Sequence, residues 1–289
     1  MAPPEESDII GAQKSYQRGK LMTQYSATAK NTLEKIRSSK PVVHNITNYV
    51  VMNSTANVLL AMGASPIMAH APEEVEELLN IANSLVINIG TLSRPWIESM
   101  MLAARTCDMV QKPYVLDPVG SGATTLRTET AMALTQEAPP RVIRGNASEV
   151  LSLSPEGGAA RGVDSAHSID QAVEAAKEVA RTLNTVVAVT GETDVVTDGK
   201  VSLKVTGGHP LMGYVTGTGC AASVVVAAFL AMQEDAVAAS ACALAYYGLA
   251  GEKAAAKTQA PGSFWVHVLD ELYLITPEEL ESSARISVL

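Results

Sequence analysis

Ser84-Leu85-Val86-Ile87-Asn88-Ile89-Gly90 is apolar on both of its faces and closes on a glycine. A strand with one wet face alternates apolar and polar residues, whereas a run like this one suits a parallel sheet covered on both sides. Similar short runs flank it: Pro41 to Ile46, Ser65 to Met68, Pro113 to Gly120, Arg141 to Asn146 and Thr185 to Gly191. Helical patterns separate them. One runs from Tyr49 to Met62, with Thr47-Asn48 as capping oxygens and Gly63 as its stop. Others run from Glu73 to Asn83, Pro95 to Thr106, Thr124 to Gln136 and Ile169 to Leu183. A loop rich in Gly and Ser lies near Ser154 to Gly162, and Asp194 to Gly207 reads as a hairpin across Asp198-Gly199. After Cys220 the pattern is helical almost to the end. The alternation predicts an α/β fold with a mostly parallel central sheet and helices on both faces. Residues 1–24 show no periodicity and read as a flexible tail. Residues 25–289, with no internal repeat or linker, read as a single domain that opens on a polar helix from Tyr25 to Ser38.

The 289 residues are 47% hydrophobic and only 4% aromatic, so the core is built mainly from Ala, Val, Leu and Ile. With 21 basic and 30 acidic residues the net charge is -9, and no basic patch invites nucleic acid. An acidic protein that binds nucleotides must focus positive potential locally, through helix ends, a few arginines and a metal. Cys107, Cys220 and Cys242 include no C-x-x-C pair and cannot build a disulfide framework, which fits a reducing cytoplasm. The N-terminus is polar and lacks a hydrophobic signal core. The longest apolar runs, Ala221 to Met232 and Ala236 to Ala250, are shorter than the roughly 18–20 residues a membrane span needs. They read as buried helices, and no membrane partner is expected.

The second informative stretch is Val215-Thr216-Gly217-Thr218-Gly219-Cys220, followed by the apolar run from Ala221 to Leu230. Its glycines allow a sharp turn and close approach of a ligand. The helix that follows aims its free N–H groups and positive dipole end over the loop, which makes an anion seat for phosphate. Gly217, Thr218 and Gly219 form that anion hole. A thiol at a helix N-terminus is expected to shift toward thiolate, so Cys220 reads as a base or a nucleophile. Glycine turns that bind nothing are also common before helices. The segment fits G-x-G-x-x-A, but not at the opening of a βαβ unit as a dinucleotide site requires, and no G-x-x-x-x-G-K-[ST] occurs.

In such a sheet, ligands bind at the carboxyl ends of the strands. Asn45, Asp117, Asn146, Thr190 and Cys220 all lie there. Asp117, rigid between prolines, is either a turn former or a metal and substrate positioner. Asn146 and Glu149 have the spacing of a capping box. Arg144 has no part in a cap and suits phosphate oxygens. Mg²⁺ takes one or two carboxylates plus waters and phosphates, and Asp117 and Glu149 can supply them. Thr190-Gly191 is a hydroxyl and a hinge, or only a turn. His44 reads as structural, and His209 could pair with Cys220 in a nucleophilic dyad.

Together these motifs resemble the hydroxyethylthiazole kinase family, the thiamine-salvage branch of the ribokinase-like superfamily. The likeness runs from about Pro41 to about Leu269. It rests on His44-Asn45-Ile46-Thr47-Asn48, Gly63-Ala64-Ser65-Pro66-Ile67-Met68, Asn88-Ile89-Gly90-Thr91-Leu92, Asp117-Pro118-Val119-Gly120, Arg144-Gly145-Asn146-Ala147 and the glycine loop. The resemblance implies ATP-dependent, Mg²⁺-assisted phosphorylation of the primary alcohol of 4-methyl-5-(2-hydroxyethyl)thiazole. It implies a homotrimer whose pockets lie between subunits. It places Met68 and Gly217, with Asn45 beside them, on the thiazole, Arg144 and Thr190 on ATP, and Asn146 to Glu149 in a magnesium motif. Ribokinase-like enzymes mostly read G-x-G-D, with Asp as base; Gly217-Thr218-Gly219-Cys220 carries a thiol there. Other readings are a kinase for a hydroxymethylpyrimidine or a sugar, a non-catalytic nucleotide-linked ligand-binding protein, and a Cys220-based hydrolase.

Overall fold

A computed structural model describes residues 6–154 and 169–289. The strands are β1 (Val42–Ile46), β2 (Ser65–Met68), β3 (Ser84–Asn88), β4 (Tyr114–Asp117), β5 (Val142–Gly145), β6 (Val186–Val189), β7 (Asp194–Thr197), β8 (Ser202–Val205) and β9 (Ile286–Val288). The helices are α1 (Glu6–Ser39), α2 (Met52–Met62), α3 (Pro72–Ile81), α4 (Arg94–Met109), α5 (Thr125–Glu137), α6 (Ala147–Leu151), α7 (Ile169–Leu183), α8 (Thr218–Leu230), α9 (Ala236–Ala255), α10 (Pro261–Leu274) and α11 (Pro277–Ser283). The strands form one sheet in the order β2-β1-β3-β4-β5-β6-β7-β8-β9. The first six in that order run parallel, and β7, β8 and β9 close the far edge antiparallel.

The apolar run of β3 behaves as its composition demands. Leu85 and Ile87 enter the core under α3, α4, α5, α6 and α7, while Val86 enters the core on the other face. That second layer contains α1, α2, α8, α9 and α10. Each such side chain, fully buried, contributes about 1.5–3 kcal/mol of transfer free energy. Every residue of α8 from Ala221 to Leu230 is buried, because α8 is sandwiched between the sheet and α9. None of the described helices is long and apolar enough to cross a membrane.

The sequence reading and the structure differ in four places. Helix α1 begins at Glu6, inside the segment read as a tail. Tyr25, Ala29, Leu33 and Ile36 recur at helical spacing and are all buried, which docks its C-terminal half. The hairpin loop has four residues, Asp198 to Val201, because Thr197 pairs with Ser202 and the Asp198 carboxylate accepts the Lys200 and Val201 amides. The chain ends in β9 rather than helix; three residues are too few to display a period of two. Thr47-Asn48 does not cap α2: its N-cap is Val51, without a side-chain bond. Most of the Gly- and Ser-rich loop near Ser154 to Gly162, and residues 1–5 of the expected tail, lie outside the described residues.

Candidate active site

The carboxyl ends of β1, β3, β4, β5 and β6 converge beneath the N-terminus of α8. Gly217, at φ +86°, is the left-handed N-cap of that helix, and the first intrahelical bond runs from Ala221 N to Gly217 O. The amides of Thr218, Gly219 and Cys220 therefore precede the helical ladder and face outward from its positive end. The Thr218 hydroxyl donates to Met212 O at 2.8 Å and ties the loop to the preceding turn, Pro210–Tyr214. The two glycines back onto different neighbours. A Cβ at Gly217 would meet Val51 Cγ1 at 2.8 Å, and one at Gly219 would meet Arg144 Nη1 at 3.0 Å.

Arg144 is 7% exposed. Its guanidinium donates to Thr190 Oγ1 and lies 3.8 Å from Asp117 Oδ1, while its Nε has no hydrogen-bond partner. A buried cation with an unused donor is ready for an anion. Beside it opens a cavity of about 420 Å³, lined in part by Arg144, Thr190, Asp194, Gly208, Gly219 and Tyr247. The Tyr247 hydroxyl there also lacks a partner. Burial pushes the Asp194 carboxyl up to about 6, against the Gly191 amide and Arg144, which pull it down. Asp194 and Tyr247 carried no signal in the sequence, since each sits inside an ordinary strand or helix pattern.

Asp117 is fully buried. Its Oδ2 accepts from Asn88 Nδ2 at 2.7 Å and Ser223 Oγ at 2.8 Å, and its Oδ1 is unpartnered. Burial raises its carboxyl to about 6, opposed chiefly by Arg144. Glu149 completes the capping box with Asn146 and also accepts the Gly120 amide at 2.9 Å, so both of its oxygens are held in place. No cluster of three or more metal-ligating side chains occurs among the described residues. The donor set still fits Mg²⁺, which takes one or two carboxylates and completes its shell with phosphates and waters. Asp117 Oδ1, which accepts no hydrogen bond and has only the Arg144 guanidinium 3.8 Å away, is the observation that favours this.

Cys220 corrects the expectation of a thiolate. Its sulfur is pushed up to about 12, mainly by burial and then by the Asp117 carboxylate, against the donors Asn88 at 3.2 Å and Asn48 at 3.7 Å. Desolvation outweighs the helix end, so Cys220 is a thiol. The Cys–His dyad is also absent: His209 is exposed and caps the Pro210–Tyr214 turn through the Leu211 amide. His44 is structural, with Nε2 2.9 Å from Ala69 O. Asn45 lies inside the sheet, where its amide donates to Val43 O at 2.8 Å. Its register partner Met68 is half-buried on the edge strand β2. Neither lines the cavity beside Arg144.

Known proteins resemble this chain in sequence and fold. A family model described as hydroxyethylthiazole kinase family matches residues 33–278. A hydroxyethylthiazole kinase of Desulfotalea psychrophila is 54% identical over 265 residues, covering 92% of this chain and 97% of its own. One from Moorella thermoacetica is 50% identical over 256 residues, covering 89% and 96%. Among solved structures, a hydroxyethylthiazole kinase protein of Pyrococcus horikoshii superposes with a TM-score of 0.84 at 42% identity, covering 90% of this chain and 98% of its own. The Staphylococcus aureus pyridoxal kinase with AMP-PCP, at 17% identity, TM-score 0.58 and coverage of 74% and 88%, shares the fold.

Proposed function

The chain belongs to the hydroxyethylthiazole kinase family, and from that premise we propose that it transfers the γ-phosphoryl group of ATP to the primary alcohol of 4-methyl-5-(2-hydroxyethyl)thiazole. The observation that carries this reading is the Arg144 guanidinium lying against Gly219, under the free amides that open α8. Phosphoryl transfer requires little covalent chemistry; it requires in-line placement and positive charge around the moving group. Arg144 and Thr190 hold the nucleotide phosphates. The amides of Gly217, Thr218 and Gly219 receive the charge on the transferring group. Cys220 faces the acceptor alcohol as a thiol, and a loose transition state tolerates that because the alcohol loses its proton late. Asp117 and Glu149 would be the carboxylates that hold Mg²⁺, which would supply positive charge to the triphosphate.

Met68, Gly217 and Asn45 form the thiazole side. Met68 lies on β2, the outermost strand at that edge of the sheet, and Tyr49 and Val50 nearby are 64% and 62% exposed. A pocket at such an edge fits completion by a second subunit, and the proposed assembly is a homotrimer. A reducing cytoplasm suits three cysteines that stay free, two of them fully buried. Residues 25–289 act as one kinase domain. Purified protein with ATP, Mg²⁺ and the thiazole alcohol should release ADP. Turnover only with a hydroxymethylpyrimidine or a sugar alcohol would reassign the substrate. Light scattering that finds an active monomer would remove the trimer.

A further inference from the structure

Polar contacts from β1, β3, β4 and α8 meet at Asn88, at the end of the run Ser84 to Gly90. Asn88 is 1% exposed. Its Oδ1 accepts from Asn48 Nδ2 at 2.8 Å and from the Gly90 amide at 3.0 Å. With two donors on its oxygen, the amide cannot be turned over without setting donors against donors. Its NH₂ group must face the other way. There it donates to Asp117 Oδ2 at 2.7 Å and to Cys220 Sγ at 3.2 Å. The frame around it is tight, since a Cβ at Gly90 would stand 2.6 to 2.9 Å from the Asn48 side chain. Gly90 therefore leaves room for the residue that fixes Asn88.

The consequence falls on the thiol. The Cys220 sulfur receives N–H groups from Asn88 and, more weakly, from Asn48, both on its sheet side. A neutral thiol has one proton to give, and those two donors cannot accept it. The S–H is thereby turned away from both amides.

We propose that Asn88 is a positioning residue for phosphoryl transfer: its hydrogen bond to the Cys220 sulfur aims the S–H at the oxygen of the acceptor alcohol. That oxygen accepts the S–H with one lone pair and attacks phosphorus with the other; the bridging P–O bond to ADP breaks, and the alcohol's own O–H proton passes late to an oxygen of the transferred phosphoryl group. The proposal rests on the kinase reading above, and it gives Asn88 a role that acts through Cys220.

A double-mutant cycle tests it, with steady-state kinetics of the parent, Asn88→Asp, Cys220→Ala and the double variant. Asn88→Asp keeps the shape and the acceptor oxygen for Asn48 and Gly90 but removes the NH₂ group that faces both the sulfur and Asp117 Oδ2, and the Cys220→Ala background separates the two losses. In the parent background it should lower kcat by about tenfold or more while KM for ATP stays within about twofold. In the Cys220→Ala background, with no sulfur to aim, the same change should lower kcat by a clearly smaller factor. An unchanged kcat in the parent background, or the same loss in both backgrounds, would overturn the proposal; equal losses would leave Asn88 only holding Asp117. If thermal melting shows that Asn88→Asp does not fold, Asn88→Ala takes its place in the cycle with the same two outcomes. A parent without thiazole turnover would instead defeat the kinase reading itself.

Discussion

Arg144 and Gly219 are packed so closely that a methyl group enters between them only if the guanidinium gives way by a few tenths of an ångström: a Cβ at Gly219 would stand 3.0 Å from Nη1 and 3.2 Å from Nη2. The guanidinium cannot swing aside freely, because Thr190 and Asp117 hold it. Gly219→Ala should therefore displace the guanidinium, although alanine is otherwise the better helix residue by about 1 kcal/mol. We expect a folded variant, with a melting temperature no higher than the parent's, whose KM for ATP rises by about tenfold. An unchanged KM for ATP would mean that the guanidinium position is irrelevant to nucleotide binding.

Arg144→Ala removes the same charge without crowding the loop. ATP use should weaken much more than thiazole binding, because the guanidinium faces the cavity with Thr190 and not the β2 edge with Met68. Arg144→Lys separates charge from shape: it keeps a cation near Asp117 but loses the planar fork that grips phosphate. It should restore stability more than it restores KM for ATP. Equal losses for both ligands in Arg144→Ala would take Arg144 out of its assigned role.

Cys220 should behave as an ordinary buried thiol. With its sulfur pushed up to about 12, alkylation by iodoacetamide should accelerate steadily with pH and show no inflection between about pH 6 and 9. Cys107 and Cys242 are fully buried, so Cys220 is the cysteine such a reagent reports in the folded protein. Cys220→Ala should cost less than the 10²–10⁴ or so typical of a lost general base. Cys220→Asp places a carboxylate at the positive end of α8, facing the Asn88 and Asn48 amides. Its kcat should equal or exceed the parent's. A folded Asp variant that binds the thiazole and does not turn over would revive a covalent role for the thiol.

Asp194 should leave a mark on stability as pH changes. Its carboxyl is raised from 3.8 to about 6 by burial, so the folded protein holds that proton more tightly than the unfolded chain. The associated stability is complete below about pH 3.8 and is lost as pH rises through about 6. Asp194→Asn keeps the Oδ1 that accepts the Gly191 amide at 3.0 Å and removes the titration. Urea midpoints of the parent should fall relative to this variant between about pH 4 and 7. Parallel curves would show that Asp194 does not titrate in that range.

What the sequence determined by itself is everything carried by near neighbours along the chain. The two-faced apolar run at Leu85-Val86-Ile87 dictated a covered parallel sheet, since successive strand side chains must point to opposite sides. The glycine loop before Ala221 marked the turn that opens α8, and the four-residue frame from Asn146 to Glu149 marked a cap that formed as spaced. Only the tertiary structure decided that Asn88 reaches Cys220, 132 positions away, and Asp117, 29 away. Such contacts depend on strand register and on how deeply α8 sits against the sheet, and neither is written in any local pattern. The protonation of Cys220 belongs to the same class. Helix position alone argued for a thiolate; the water excluded by the strand ends, and a carboxylate beside them, argued more strongly for the thiol.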